Sequence, residues 1–534
     1  MRQDSSSNTP QLHRALLIGA LVAAAVILAH YGLTMRIPIL GLIFPVILIV
    51  SLFLERPWLI FICGLAATEA MLKLPGLPSA VGVPQLFQML LIGWAILDAA
   101  MHKKKSRFSY DKGIDVWIAL FFVNVIFLMV VTGAGFRIQG EGMYGGSVYL
   151  GLLMALGGYF AAVKLTFTEK QVKILIWSTV IASAIPAALQ FIIYFKPSTA
   201  PLITKFISIS TEYFLREQSR DGDATRWGQL SGFGYALVTI AYVVCSAGRL
   251  RTFLLILSLF MMGMTGFRSR IFRLVAMIFF SSIIYSKQRG KVFLVWIFIG
   301  LAGWGFLSMA ATSLPLAIQR VVSFVPGVKV DAAMAKIAKS SGDWRFDMWK
   351  EYCIPNVPKH LFIGRGLVSD VTGFAWLQEG WYGSAEFAYH MHAYHSGPFS
   401  LLLDFGLPGT ITFTLFFLLV IKDGWQTMRR YVAHRNDTIG KYYIFLVILM
   451  SYELFSYFFI FGSVPTALPR MLVEAAILRI LKKHFLLETL PAAGFSGVTG
   501  QTSGVSSATQ QRTTSNRTPV NHWARPDATK RWNG

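Results

Sequence analysis

Charge is scarce in this chain, and cysteine is scarcer. Only 14% of the residues are charged, and three of 534 are cysteine. A soluble globular chain carries roughly 25% charged residues, so a water-facing surface of ordinary extent is excluded. Cys63 and Cys245 fall in apolar runs and Cys353 stands alone, which excludes a disulfide framework and a cysteine-based metal site. No P-loop, dinucleotide fingerprint or HExxH occurs, and no repeat of roughly 20–50 residues recurs. Acidic residues are few as well: 26 against 49 basic ones, for a net charge of +23. In a soluble protein that excess would suggest nucleic acid. Here lysines and arginines of cytoplasmic loops account for it, and no nucleic-acid partner is expected.

What remains is hydrophobic: 54% of the residues, with a mean hydropathy of +0.55. Apolar runs of about 17–22 residues recur, continuous rather than alternating, so they read as membrane-crossing helices and not barrel strands. The runs fall at 14–31, 37–54, 58–75, 84–101, 114–133, 146–165, 173–194, 229–247, 252–267, 271–286, 292–312, 399–421, 442–462 and, more weakly, 464–481. The fold class is all-α and polytopic, with about 12–14 transmembrane helices. The first run is too long for a cleaved signal peptide, and a second follows at once.

Alternate loops are basic: 103–107, 164–173, 249–251, 287–291, 422–435 and 479–483. All lie on one side if the N-terminus does, and that side is the cytoplasm. The outer side receives the segment 195–228, the short turn at 267–270, and a loop of about 85 residues from Ser313 to Pro398, too long for a mere connector. The chain therefore divides into an N-terminal helix bundle (1–312), a large periplasmic loop with short helices (313–398) and C-terminal transmembrane helices (399–485). A Gly/Ser/Thr/Gln-rich tail, 492–534, reads as disordered and cytoplasmic.

Chemistry-bearing residues gather on the outer side. TGFRSR (265–270) puts Arg268 and Arg270 at helix ends where the charge rule does not place them. They either snorkel to headgroups or bind a phosphate. WRFDMWKEY (344–352) sets Arg345 and Trp349 on one helical face. Arg345 either pairs with Asp343 or Asp347 or reaches a lipid pyrophosphate; Pro355 and Pro358 are expected to end that helix. His390, His392 and His395 crowd before the apolar run that begins at Phe399. Their spacing is not a standard zinc pattern, and a neutral histidine acting as base or orienter fits better. Asp404 lies inside the apolar run, where a carboxylate is costly; it is either functional or paired locally. Arg226 stands out in a mixed-charge loop just before the run at 229–247.

These pieces, spanning about 225–420, resemble the O-antigen ligase and O-antigen polymerase superfamily. TGFR (265–268) is similar to its TGSR turn. WRFDMW with IGRG (344–349, 363–366) is similar to its R…W helix followed by G-x-G. HSGPFSLLLDFGLPG (395–409) is similar to its HN…LL.E.GL.G signature, with His395 on the histidine and Asp404 on the carboxylate. Phe267 departs from the serine and Ser396 from the asparagine. Gly397 and Pro398 break the expected helix start, and His392 is the alternative to His395.

The resemblance implies a membrane glycosyltransferase of the GT-C kind, without cofactor or metal. It would act on the periplasmic face of the bacterial inner membrane, with both termini cytoplasmic. The donor would be a glycan on undecaprenyl pyrophosphate, and the acceptor a sugar hydroxyl of lipid A core or of another lipid-linked glycan. Arg268 and Arg345 would stabilise the leaving pyrophosphate, and His395 would activate the acceptor. Arg226, Arg270, Trp349, His392 and Asp404 would bind substrate. A polysaccharide flippase and a purely structural membrane protein are the competing readings. The first would place charges deep in its spans and show related halves; the second would not need the outer arginines.

Overall fold

The computed structural model describes residues 56–72, 82–101, 111–133, 143–144, 146–208, 227–245, 248–370, 385–432 and 437–489. The expected spans at 14–31 and 37–54, the tail, and Arg226 lie outside the described residues. Every expected span from 58 onward coincides with a helix. These are α1 (Pro57–Glu69), α2 (Val83–Met101), α3 (Asp115–Val131), α4 (Gly146–Ala162) and α5 (Glu169–Phe195). After the short α6 (Ala200–Phe206) come α7 (Leu230–Thr239), α8 (Arg249–Met264), α9 (Arg268–Tyr285) and α10 (Arg289–Ala310). Four short helices follow: α11 (Leu316–Val322), α12 (Ala332–Met348), α13 (Ile354–His360) and α14 (Ala385–His390). The chain re-enters the bundle with α15 (Gly397–Thr427), α16 (Thr438–Phe459) and α17 (Val464–Thr489). The only strands among the described residues are β1 (Met143–Tyr144) and β2 (Ser369–Asp370), which pair antiparallel. The fold is that of an all-α polytopic membrane protein.

By length and composition, α2, α5, α10, α15 and α16 are each sufficient to cross a membrane, and α1, α3, α4 and α7 are shorter apolar helices. The described residues up to Leu487 belong to one compact unit; of the second, Glu488–Gly534, only the last residues of α17 are described. The membrane-length helices share one apolar core. α10 is the exception: it buries none of its residues and exposes Leu294, Phe298 and Leu301, a surface suited to lipid.

Buried ionic groups tie the bundle together where an unpaired charge would be costly. Asp115, fully buried on α3, accepts from Tyr159 of α4 at 2.8 Å and lies 3.3 Å from Arg479 of α17. Elsewhere Glu453 of α16 pairs with both Arg273 of α9 and Arg470 of α17.

Two of the sequence expectations are corrected by the backbone. Pro355 and Pro358 do not end the helix begun at α12. A turn of π-helix, Trp349–Cys353, joins α12 to α13 with the Ile354 amide donating to Trp349 O, and Pro355 falls in the first turn of α13. Pro358 sits within α13, at the loss of one ladder bond. Likewise Gly397 and Pro398 begin α15 rather than break it. Ser396 is the extended N-cap residue, and Pro398 lies in the first turn, where its fixed φ suits a helix.

Candidate active site

The site is built around a break in α15. Gly406 adopts φ 66°, ψ −174°, a conformation essentially confined to glycine, and Pro408 follows. The break strands three carbonyls that a continuous helix would satisfy internally. Other segments take them up. Leu403 O accepts from the Arg365 amide at 2.7 Å and Asp404 O from the Gly366 amide at 3.0 Å. Phe405 O accepts from Asn124 Nδ2 of α3 at 3.1 Å. The IGRG turn thus plugs into the broken helix. The fit is close enough to require glycine: a Cβ on Gly364 would lie 2.6 Å from the Asp404 carbonyl oxygen.

The same turn delivers a side chain. Arg365 Nε lies 3.4 Å from Asp404 Oδ1. Asp404 is fully buried, and its Oδ1 also accepts the Tyr394 hydroxyl at 2.7 Å and lies 2.7 Å from His392 Nδ1. Asp404 therefore pairs within the protein, the second of the alternatives left open by the sequence. Trp349, on the π-turn, donates its indole N–H to Tyr394 O at 2.8 Å. Tyr389, Tyr394, Leu403, Met348 and Cys353 form a small core of their own beneath the short helices. Burial there pushes the Cys353 thiol up to about 12, so it stays a packed thiol.

Between α14 and α15 the chain makes a tight turn in which His392 and His395 both take positive φ, 57° and 54°. His395 projects between Trp344 and Phe461, ring centroids 5.4 and 4.9 Å away. Its Nδ1 is buried and finds no hydrogen-bond partner among the described residues. Burial, and then the Arg345 guanidinium, push its pKa down to about 4, which leaves a neutral imidazole at neutral pH. His390 instead lies at the end of α14, 4.0 Å from Glu386. Among the described residues no three His, Cys, Asp or Glu side chains converge as metal ligands would.

Arg345, on the last turn of α12, has a buried Nε with no partner among the described residues, and neither Asp343 nor Asp347 forms an ion pair with it. Burial, and then the charge of Arg268, hold its guanidinium below the ordinary value. It stays charged at neutral pH. Arg268 opens α9 after a turn in which Gly266 has φ 68°. It donates to Arg320 O at 3.3 Å and to Ser323 Oγ at 2.9 Å. Neither partner is an acid, so two guanidiniums sense each other with no carboxylate assigned to either. Arg270 points elsewhere, donating to Gly228 O and, at 2.8 Å, to Ser231 Oγ.

Arg345 is thus in electrostatic reach of both Arg268 and His395. His392 and Asp404 lie in the buried network beneath that turn, Trp349 braces it, and Arg270 ties α9 to α7. Sequence reasoning passed over Arg365 and Tyr394. The signal for Arg365 was its place between two glycines in IGRG; nothing local marked Tyr394.

Such an arrangement suits an anion and a nearby hydroxyl. Two unneutralised cations attract a phosphate group, and a neutral imidazole beside them can receive a proton. No curated protein matches this chain. Residues 253–414 match the family model described as O-Antigen ligase, a segment that contains Arg268, Arg345, Arg365, His392, His395 and Asp404. The match supports ligase- or polymerase-type activity and an enzyme of the membrane glycosyltransferase kind. Over this segment the chain is similar to the O-antigen ligase and polymerase superfamily.

Proposed function

We propose that this protein transfers a glycan from undecaprenyl pyrophosphate to a sugar hydroxyl of lipid A core, at the periplasmic face of the inner membrane. The observation that supports this most is Arg345, a guanidinium free of carboxylates that senses Arg268 on one side and a neutral His395 on the other.

The acceptor oxygen attacks the anomeric carbon as the bond to the pyrophosphate oxygen breaks. The electron pair leaves with the pyrophosphate, whose growing charge Arg268 and Arg345 stabilise. His395 takes the hydroxyl proton. A single displacement inverts the anomeric centre. The bound diphosphate would offset the Arg345 charge and raise the basicity of His395 when the donor is in place. Trp349 and Arg270 support the site, and the donor phosphate or glycan is the role assigned to Arg226 from the sequence. The segment 313–398 forms the periplasmic cover between the N-terminal bundle and the helices of 399–485, and both termini are cytoplasmic.

The glycans of a deletion strain test this reading. Loss of capped lipopolysaccharide, with polymer accumulating on the carrier at the periplasmic face, is the expected result. Single-repeat caps would instead make the protein a polymerase. Carrier-linked glycan trapped on the cytoplasmic face would indicate a flippase and overturn the proposal.

A further inference from the structure

We propose that Asp404, Arg365 and His392 act as positioning residues, a buried clasp that sets the turn presenting His395 to the acceptor hydroxyl. This rests on the reading of His395 as proton acceptor given above.

The clasp holds the turn at several points. Asp404 Oδ1 accepts from Tyr394 and lies 2.7 Å from His392 Nδ1. Arg365 Nη2 donates to the Tyr389 carbonyl at the start of the turn, and Trp349 donates to the Tyr394 carbonyl near its end. Inside these restraints His392 and His395 keep left-handed backbones, a conformation that side chains other than glycine rarely adopt. It persists only where the surroundings over-determine it.

Asp404 is fully enclosed and His392 is 8% exposed. Enclosure favours action through the turn over contact with a sugar. The carboxylate also has a charge partner of its own in Arg365, at 3.4 Å, while Asp404 Oδ2 and His392 Nε2 find no hydrogen-bond partner among the described residues. Among the described residues, the charged group that acts on His395 is Arg345 of α12, and the rings of Trp344 and Phe461 pack beside it.

The test uses the full chain with a lipid-linked glycan donor and a lipid A core acceptor, comparing D404N, R365K, Y394F and H395A. For D404N the expected result is a fall in kcat of about 100-fold, and for R365K and Y394F about 10-fold, with both KM values within about twofold. The acid limb of kcat/KM should also move to higher pH, because a loosened turn lets water reach the imidazole. A merely structural role would not move that limb in correctly folded protein. An acceptor KM raised about tenfold with kcat intact would overturn the proposal in favour of direct sugar binding. So would an unchanged kcat and limb in R365K and Y394F while H395A is inactive. Full transfer by H395A would remove the underlying reading as well. Should D404N not fold, Y394F decides, since it deletes one hydroxyl and keeps the ring.

Discussion

Arg365 grips Asp404 by side chain while its neighbour grips the same residue by backbone. The guanidinium Nε lies 3.4 Å from the carboxylate, and the Gly366 amide donates to the Asp404 carbonyl at 3.0 Å. A helix break, a glycine-flanked turn and a buried ion pair are therefore one construction. It holds Tyr389, His392 and Tyr394 in the turn that leads to the histidine proposed to receive the proton.

Arg268→Ala and Arg345→Ala should each lower kcat by about 10²–10³, the range seen when one charge-stabilising donor is removed at a transition state. The double variant should lose less than the product of the two, because both act on one leaving group. Single-turnover transfer by variants with wild-type membrane insertion measures this. A full rate in either single variant removes that arginine from the site.

His395 supplies the pH dependence. Its folded pKa, about 4, lies below the ordinary 6.5 of an unfolded histidine. The unfolded chain therefore takes up the proton first on acidification. This group stabilises the fold fully above about pH 6.5, and its contribution is lost progressively as pH falls towards 4. Arg345→Gln should raise the His395 pKa by removing a neighbouring cation, although burial, the larger cause, would remain. Histidine resonances titrated in isotope-labelled protein read the shift; an unmoved pKa would show that Arg345 does not act on the imidazole.

Gly406→Ala should destabilise the fold by at least about 1–3 kcal/mol, because φ 66° with ψ −174° excludes a side chain. A Cβ there would also lie 2.9 Å from the Gly364 amide nitrogen. Gly303→Ala is the matched control: a Cβ on that α10 glycine meets nothing within 4 Å. It should be neutral or stabilising by up to about 1 kcal/mol. Thermal unfolding of the two variants side by side decides; equal melting temperatures would contradict the strained break.

Asp115→Asn should cost about 1–3 kcal/mol by weakening the hold on Arg479, which keeps Asp111 at 3.4 Å, yet leave kcat/KM unchanged in the protein that folds. The pair ties α3 to α17 and makes no contact with His395 or Arg345. Denaturation midpoints and transfer kinetics on the same preparation test both halves of the statement.

The bundle was legible because a membrane helix is written as a continuous apolar run, and each such run from residue 58 onward became a helix. Arg268 and Arg345 drew attention because they fall outside the alternating pattern of basic loops. The clasp was not, since Arg365 and Asp404 are distant in sequence and meet only once α15 has broken at Gly406. Pro355 and Pro358 misled for a related reason: a π-turn just before them joins α12 to α13. Tyr394 had no local mark at all, because its hydroxyl matters only through the carboxylate it reaches.

The plug of IGRG into α15 also has a mechanical meaning. Amides of Arg365, Gly366 and Leu407 cross between the two segments, the last to Leu361 O at 2.6 Å. This margin of the segment between α10 and α15 is riveted to α15. The opposite margin is tied as well, by Arg268 of α9, which donates to Arg320 O and Ser323 Oγ at the end of α11. Held at both margins, the segment braces α9 against α15 as a bridge does its two piers.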